Sequence, residues 1–239
     1  TLDANADGDG DAATQLGPSS ADFAARRALE VVGAGTDVVI EGLTITGGYT
    51  TGPGGPNGGA GIKLASDTTL TLVNSEVSGN TTAGDRAFGG GINAGVRTTV
   101  TLEGSTVADN HTLGDEARGG GVNGSTVVAT DSIIENNSTA SRYAHGVGLF
   151  ANHEITLTSS TLSGNIAQKG VFGAGANATN LTVRNSTVSE NLASGWDFGG
   201  FGGGLFGTDV RVYESLIEGN SLGEYGMGGG IKGDEVFIE

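Results

Sequence analysis

The chain has 239 residues, 46 of them glycine against 3 proline and no cysteine, with 5% aromatic residues and a formal charge of −16 from 27 acidic and 11 basic side chains. That negative balance disfavours nucleic acid and anionic membranes as partners and favours cations. The lack of cysteine removes disulfides and thiolate metal sites, and no run approaches the roughly 20 apolar residues needed to insert into a bilayer.

The first segment, Asp3-Ala4-Asn5-Ala6-Asp7-Gly8-Asp9-Gly10-Asp11, places oxygen-bearing side chains at alternate positions around a turn at Gly8, as the opening of a calcium loop does. The expected ligands are Asp3, Asn5, Asp7, Asp9 and Asp11, with calcium as the cofactor. The twelfth position is Thr14 where a full calcium loop carries a bidentate Glu, so the expectation is a weak calcium-bound insertion and not an EF-hand. A plain solvated acidic loop is the alternative. Residues 1–36 are read as this loop and a first partial coil, and residues 37–239 as one continuous repetitive domain. The chain opens without an export signal and closes in mid-repeat at Glu235-Val236-Phe237-Ile238-Glu239, so a longer exported parent chain is expected.

From Gly42 onward one block recurs, Ser-x-apolar-x-x-Asn, in Ser75 to Asn80, Ser105 to Asn110, Ser132 to Asn137, Ser160 to Asn165, Ser186 to Asn191 and Ser215 to Asn220. Successive Asn residues lie 30, 27, 28, 26 and 29 apart, a period that belongs to solenoids. An alternating stretch precedes each block, for example Leu70-Thr71-Leu72, Val100-Thr101-Leu102 and Ile155-Thr156-Leu157, with the period of a half-buried strand. Upstream again lies a small-residue triplet followed by an apolar or small residue, from Gly59-Ala60-Gly61-Ile62 to Gly228-Gly229-Gly230-Ile231. The expected fold is all-β: a right-handed parallel β-helix, a solenoid of about seven coils with three short strands per coil.

Asn80, Asn110, Asn137, Asn165, Asn191 and Asn220 are expected to form an internal amide ladder, because Asn tolerates tight turns and can bond its equivalent one coil away. Several of them match the glycosylation sequon, but an Asn buried in a ladder cannot carry a glycan. Between each Asn and the next triplet the sequence varies most, and in solenoids such segments often form the binding edge. Phe88, Tyr143, Phe172, Trp196, Phe198, Phe201 and Tyr225 fall there or directly before the triplets. They form a candidate edge for sugar rings or a neighbouring subunit. The plainer reading, which we favour, is that Phe88, Phe172 and Phe201 pack on one another and close the tube.

These repeats resemble the right-handed parallel β-helix repeats of pectate-lyase-like surface proteins, above all polymorphic outer-membrane-protein-type repeats with Gly-Gly-Ala-Ile and Phe-x-x-N signatures. The resemblance covers residues 37–239. Val77, Val107, Ile134, Leu162, Val188 and Ile217 stand at the Phe position, and most coils have Gly or Val at the Ala position. It implies an extracellular or cell-surface location and a role as adhesin, stalk or assembly module. Expected partners are a second copy or a neighbouring surface protein, with polysaccharide as a further possibility. The fold also carries lyases and hydrolases, so a carbohydrate-active enzyme is the alternative. No catalytic set recurs on adjacent coils: Asp85, Asp115, Asp131, Glu135, Glu190, Glu214 and Glu218 are scattered. His111, His145 and His153 read as surface or turn residues. An ice-binding face is disfavoured by Arg211 and Phe237, which interrupt the column Thr71, Thr101, Val128, Thr156, Thr182, and ordinary β-propensity accounts for the Thr.

Overall fold

The computed structural model describes residues 2–3, 26–54, 57–169, 171–194, 200–223 and 226–239. All regular elements among them are strands, and all pairings between strands are parallel, each coil bonding to the coils before and after it. A first sheet contains Thr44–Thr46, Glu76–Ser78, Thr106–Ala108, Ile133–Glu135, Thr161–Ser163, Thr187–Ser189 and Leu216–Glu218, with Leu2–Asp3 beside Thr44–Thr46. A second consists of two-residue strands, Tyr49–Thr50, Thr81–Thr82, His111–Thr112, Ser138–Thr139, Ile166–Ala167, Leu192–Ala193 and Ser221–Leu222.

The third sheet is the longest. Its lower coils are split into pairs of strands, Leu29–Val31 with Asp37–Glu41, Ile62–Leu64 with Thr69–Val73, and Ile92–Ala94 with Thr99–Glu103. Its upper coils run unbroken as Val122–Thr130, Leu149–Thr158, Ala176–Arg184, Leu205–Tyr213 and Ile231–Ile238. The change follows from chain length. Ile92 pairs with Val122 and Thr99 with Thr126, so the lower coil spends three more residues between the same two rungs. Those residues form a turn with Arg97 at φ 55°, as Asp67 does at φ 60° one coil below. Without them the upper strand stays continuous; one coil further up, Leu149–Thr158 has one extra residue opposite Gly124 to Thr126, which the pairing takes up as an irregularity.

Each coil therefore contributes to three sheets, as expected, but they are not the three strands expected from sequence. The glycine-triplet strand and the alternating strand share one sheet. The missing sheet is the pair of residues just after each Asn, which sequence analysis had placed in the variable segment. Two residues are too few to show an alternation, and their inward members, Thr82, Thr112, Thr139, Ala167 and Ala193, are small or polar although fully or nearly fully buried.

The core is a tube of stacked aliphatic columns. Ile45, Val77, Val107, Ile134, Leu162 and Val188 form one column, and Leu70, Val100, Val127, Ile155, Leu181 and Val210 another; each of these side chains is 0–1% exposed. Burying one stabilises the fold by about 1.5–3 kcal/mol. At two corners the tube is polar. Asn80 Nδ2 donates to Asn110 Oδ1 at 2.9 Å, Asn110 to Asn137 at 3.0 Å, Asn137 to Asn165 at 3.0 Å, Asn165 to Asn191 at 2.9 Å and Asn191 to Asn220 at 2.8 Å. The same Oδ1 atoms accept the backbone N–H of the Asn one coil below.

The first residue of the repeated block supplies a second ladder. The Oγ of Ser105, Ser132, Ser160, Ser186 and Ser215 each accepts the N–H of the equivalent Ser below, at 3.0–3.1 Å. Each ladder residue follows one with positive φ, such as Asp131 (50°) before Ser132 and Asn136 (53°) before Asn137. That conformation turns the backbone at the corner, and a non-Gly residue there costs about 1–2 kcal/mol, which the paired corner amides and hydroxyls offset.

Candidate ligand-binding faces

One outer seam runs along the corner formed by the glycine triplets. Inward Ala87, Ala117 and Ala144 are buried, so by strand alternation Phe88, Arg118 and His145 point outward. The next residue has positive φ in each coil, as Gly89 does at 63°. A Cβ there would lie 2.0 Å from the Ile92 carbonyl oxygen, which is why glycine recurs at this corner.

The seam residues stack in register. Arg118 Cζ lies 5.4 Å from the Phe88 ring centre and 5.1 Å from that of Phe150. His145 stacks on Phe172 at 4.8 Å, and Phe172 on Phe201 at 5.3 Å, both with planes 12° apart. Phe206 backs the column, 5.3 Å from Phe172. Phe172 and Phe201 thus pack on one another as in the plainer reading, but outside the tube and without closing it, and Phe88 does not join them. Arg118 and His145 separate Phe88 from Phe172, a correction that follows from the register. Both faces of Phe172 are covered, so it offers no platform to a sugar. Tyr143 is half exposed on a turn at φ 60°. Trp196, Phe198 and Tyr225 lie outside the described residues.

His145 is held neutral. Burial, with the Arg118 charge as the lesser cause, pushes its imidazole down to about 4. Its Nδ1 lies 3.2 Å from Asn177 Nδ2, which also donates to the Phe172 carbonyl. With Nδ1 accepting that amide, the ring proton is assigned to Nε2.

The outer face of the third sheet changes character along the axis; the column read from sequence already breaks at Arg211 and Phe237, but does not show the residues they meet there. In the lower coils the outward residues in register are Asp37, Val39 and Glu41, then Thr69, Thr71 and Val73, then Thr99, Thr101 and Glu103. In the upper coils they become Thr126, Val128 and Thr130; Glu154, Thr156 and Thr158; Asn180, Thr182 and Arg184; Asp209, Arg211 and Tyr213; and finally Glu235 and Phe237. Asp209 and Glu235 are direct partners on adjacent coils, and neither had been singled out. Arg211 bonds both carboxylate oxygens of Asp209 at 3.1 and 2.7 Å. Arg184 Cζ sits 3.8 Å from the centre of the Tyr213 ring, and Phe237 lies 5.6 Å from it at a tilt of 47°. Asp209, Arg211, Tyr213, Glu235, Val236 and Phe237 line an open pocket of about 400 Å³. Strand pairing was the signal that would have found this cluster: the single-chain list of acids hides a column whose members are 26 to 29 residues apart.

Of the expected calcium ligands, Asp3 has a described backbone, paired with Thr46 in the first sheet. Asn5, Asp7, Asp9 and Asp11 lie outside the described residues. Among the described residues no group of three or more His, Asp or Glu is placed to hold a metal. Cross-coil ion pairs decorate the corners instead: Arg86 with Glu116, Arg142 with Asp115 and Arg97 with Asp67. The partner guanidinium lowers the pKa of each of these carboxyls. His111 Nδ1 lies 2.7 Å from Ser138 Oγ on the next coil, and no helix among the described residues is long and apolar enough to cross a membrane.

A family model described as right-handed beta helix region matches residues 22–188. No curated protein and no solved structure matches the chain.

Proposed function

The chain belongs to the right-handed β-helix family, and on that premise we propose that it is a rigid repeat domain of a secreted or surface-displayed protein, an adhesive rod whose upper outer face holds a saccharide. The observation that carries this reading is the contrast between an interior that repeats rung by rung and an outer face that gathers Arg and aromatic rings beside acids in the uppermost coils. Those coils gather Asp209, Arg211, Tyr213, Glu235 and Phe237 around one pocket. Carboxylates and a guanidinium are the partners that sugar hydroxyls bond, and a tilted aromatic pair offers apolar area for a pyranose face.

Retention on immobilised neutral polysaccharides, for the parent chain and for Phe237→Ala and Asp209→Asn, tests it. Retention lost in both variants supports the adhesive reading, and indifference of the parent to every glycan sinks it. A second reading, a glycoside-cleaving enzyme, draws on the Asp209–Glu235 register, since two carboxylates on neighbouring rungs are what such chemistry needs. Release of reducing ends, abolished by Glu235→Gln, would move the chain to that class.

Calcium at Asp3, Asn5, Asp7, Asp9 and Asp11 is part of the proposal and rests on the spacing of oxygen-bearing side chains in sequence. A melting temperature raised by millimolar calcium in the parent, but not in a chain with Asp3, Asp7 and Asp9 changed to Asn, supports it.

A further inference from the structure

Arg27, Lys63, Arg86, Arg97, Arg142 and Arg211 each meet a carboxylate within ion-pairing distance, as the excess of acid in this chain would lead one to expect. Arg118 does not. Among the described residues its side chain has aromatic neighbours, the Phe88 and Phe150 rings, and the His145 imidazole one coil above. Its Cζ lies over both rings, and among the described residues no acceptor takes any of its five N–H donors. The charge acting on His145 comes from Arg118, with no carboxylate opposing it. His145 Nδ1 is taken by Asn177, so the free donor of that ring is Nε2–H, and no protein acceptor reaches it among the described residues.

We propose that Arg118 and His145, neighbours on adjacent rungs of the seam, form a binding site for an oxyanion, a carboxylate or sulfate group carried on a ligand that lies along the corner. Successive rungs are about 4.8 Å apart, a span that one tetrahedral or planar oxyanion bridges with a hydrogen bond to each donor. Phe88, Phe150 and Phe172 exclude water from the flanks and so strengthen both bonds. A neutral imidazole suits the role, because it donates without adding a second charge beside Arg118. The site is separate from the Asp209–Glu235 pocket and stands whether or not that pocket takes a sugar.

The test is a titration at neutral pH with glucuronate, sodium sulfate, sodium acetate and glucose, following the Arg118 Nε–H and His145 ring signals by NMR. Glucuronate should move both signals and glucose neither. Arg118→Gln should weaken binding about tenfold or more, the loss of one charge-assisted hydrogen bond. His145→Phe, which keeps the stack, should weaken it several-fold, and Arg118→Lys should fall between parent and Gln. Equal affinity for sulfate, acetate and glucuronate would assign the site to the bare oxyanion, whereas preference for glucuronate would assign it to a sugar acid. The proposal is overturned if no anion moves either signal, or if Arg118→Gln, melting as the parent does, binds as tightly.

Discussion

The lower and upper coils of this solenoid have the same inside and different outsides. Asn80 in a lower coil and Asn191 in an upper one are both fully buried, and each bonds the Asn above at 2.8–2.9 Å. Outside, the lower third sheet carries an extra turn, with Thr and the acids Asp37, Glu41 and Glu103, while the upper part is unbroken and adds Arg184, Arg211, Tyr213 and Phe237. A rung must match its neighbours within the tube, because a mismatch there strands a buried amide or opens a void. Outward positions carry no such constraint and are free to acquire chemistry.

The largest expected effect comes from breaking the inside. Asn137→Ala deprives Asn110 of the acceptor for both its N–H and its Nδ2, and removes the Asn137 bonds to Val107 and Asn165. Urea unfolding should register a loss of about 3–5 kcal/mol. Gly121→Ala comes next: its Cβ would lie 2.6 Å from the Gly148 carbonyl oxygen, a backbone atom that cannot yield cheaply. A loss of about 2 kcal/mol is expected. Gly124→Ala, with nothing nearer than 3.7 Å, should change little and serves as the control.

His145 sharpens the comparison on the seam. Its native pKa of about 4 lies below the unfolded value near 6.5, so the unfolded chain binds its proton first as pH falls. Stability should therefore decline between about pH 6.5 and 4, by about 1–2 kcal/mol once its partial exposure is allowed for, and this group adds no further loss below that. In His145→Phe this decline should vanish. The lowered carboxyls of Glu30, Asp67, Asp115 and Glu116 act in a separate window, their contribution being lost only as pH falls below the ordinary carboxylate range.

On the upper face, Phe237→Ala should alter stability by less than about 0.5 kcal/mol while removing any glycan retention. A large loss of stability there would show that the outside is as constrained as the inside, and the comparison would fail. Smallest of all, Glu116→Gln removes the exposed pairing with Arg86 and should leave the melting curve superimposable on that of the parent.

Most of the interior was legible in the sequence because each rung repeats it. The spacing of Asn80, Asn110, Asn137, Asn165, Asn191 and Asn220 by itself marks the buried amide column. Ser75 and Ser105 stood in the same block, yet their ladder was unrecognised, since Ser in a turn reads as an ordinary cap or bend residue. The two-residue second sheet was invisible for want of length. The outer face was hidden by a different cause: Asp209, Arg211 and Glu235 gain meaning from the rung above or below, and strand register is a property of the folded stack.

The two ladders also make the molecule a ruler. A coil carries its own acceptor for the rung beneath and its own donor for the rung above, so the ladder continues through a whole number of coils and is broken by a fraction of one. Gain or loss of a complete 26–30-residue segment would lengthen or shorten the rod by a single graduation of about 4.8 Å, with every interior bond re-formed. Insertions at the outer corners would leave the scale untouched, and evolution can thus adjust reach and surface chemistry on two independent dials.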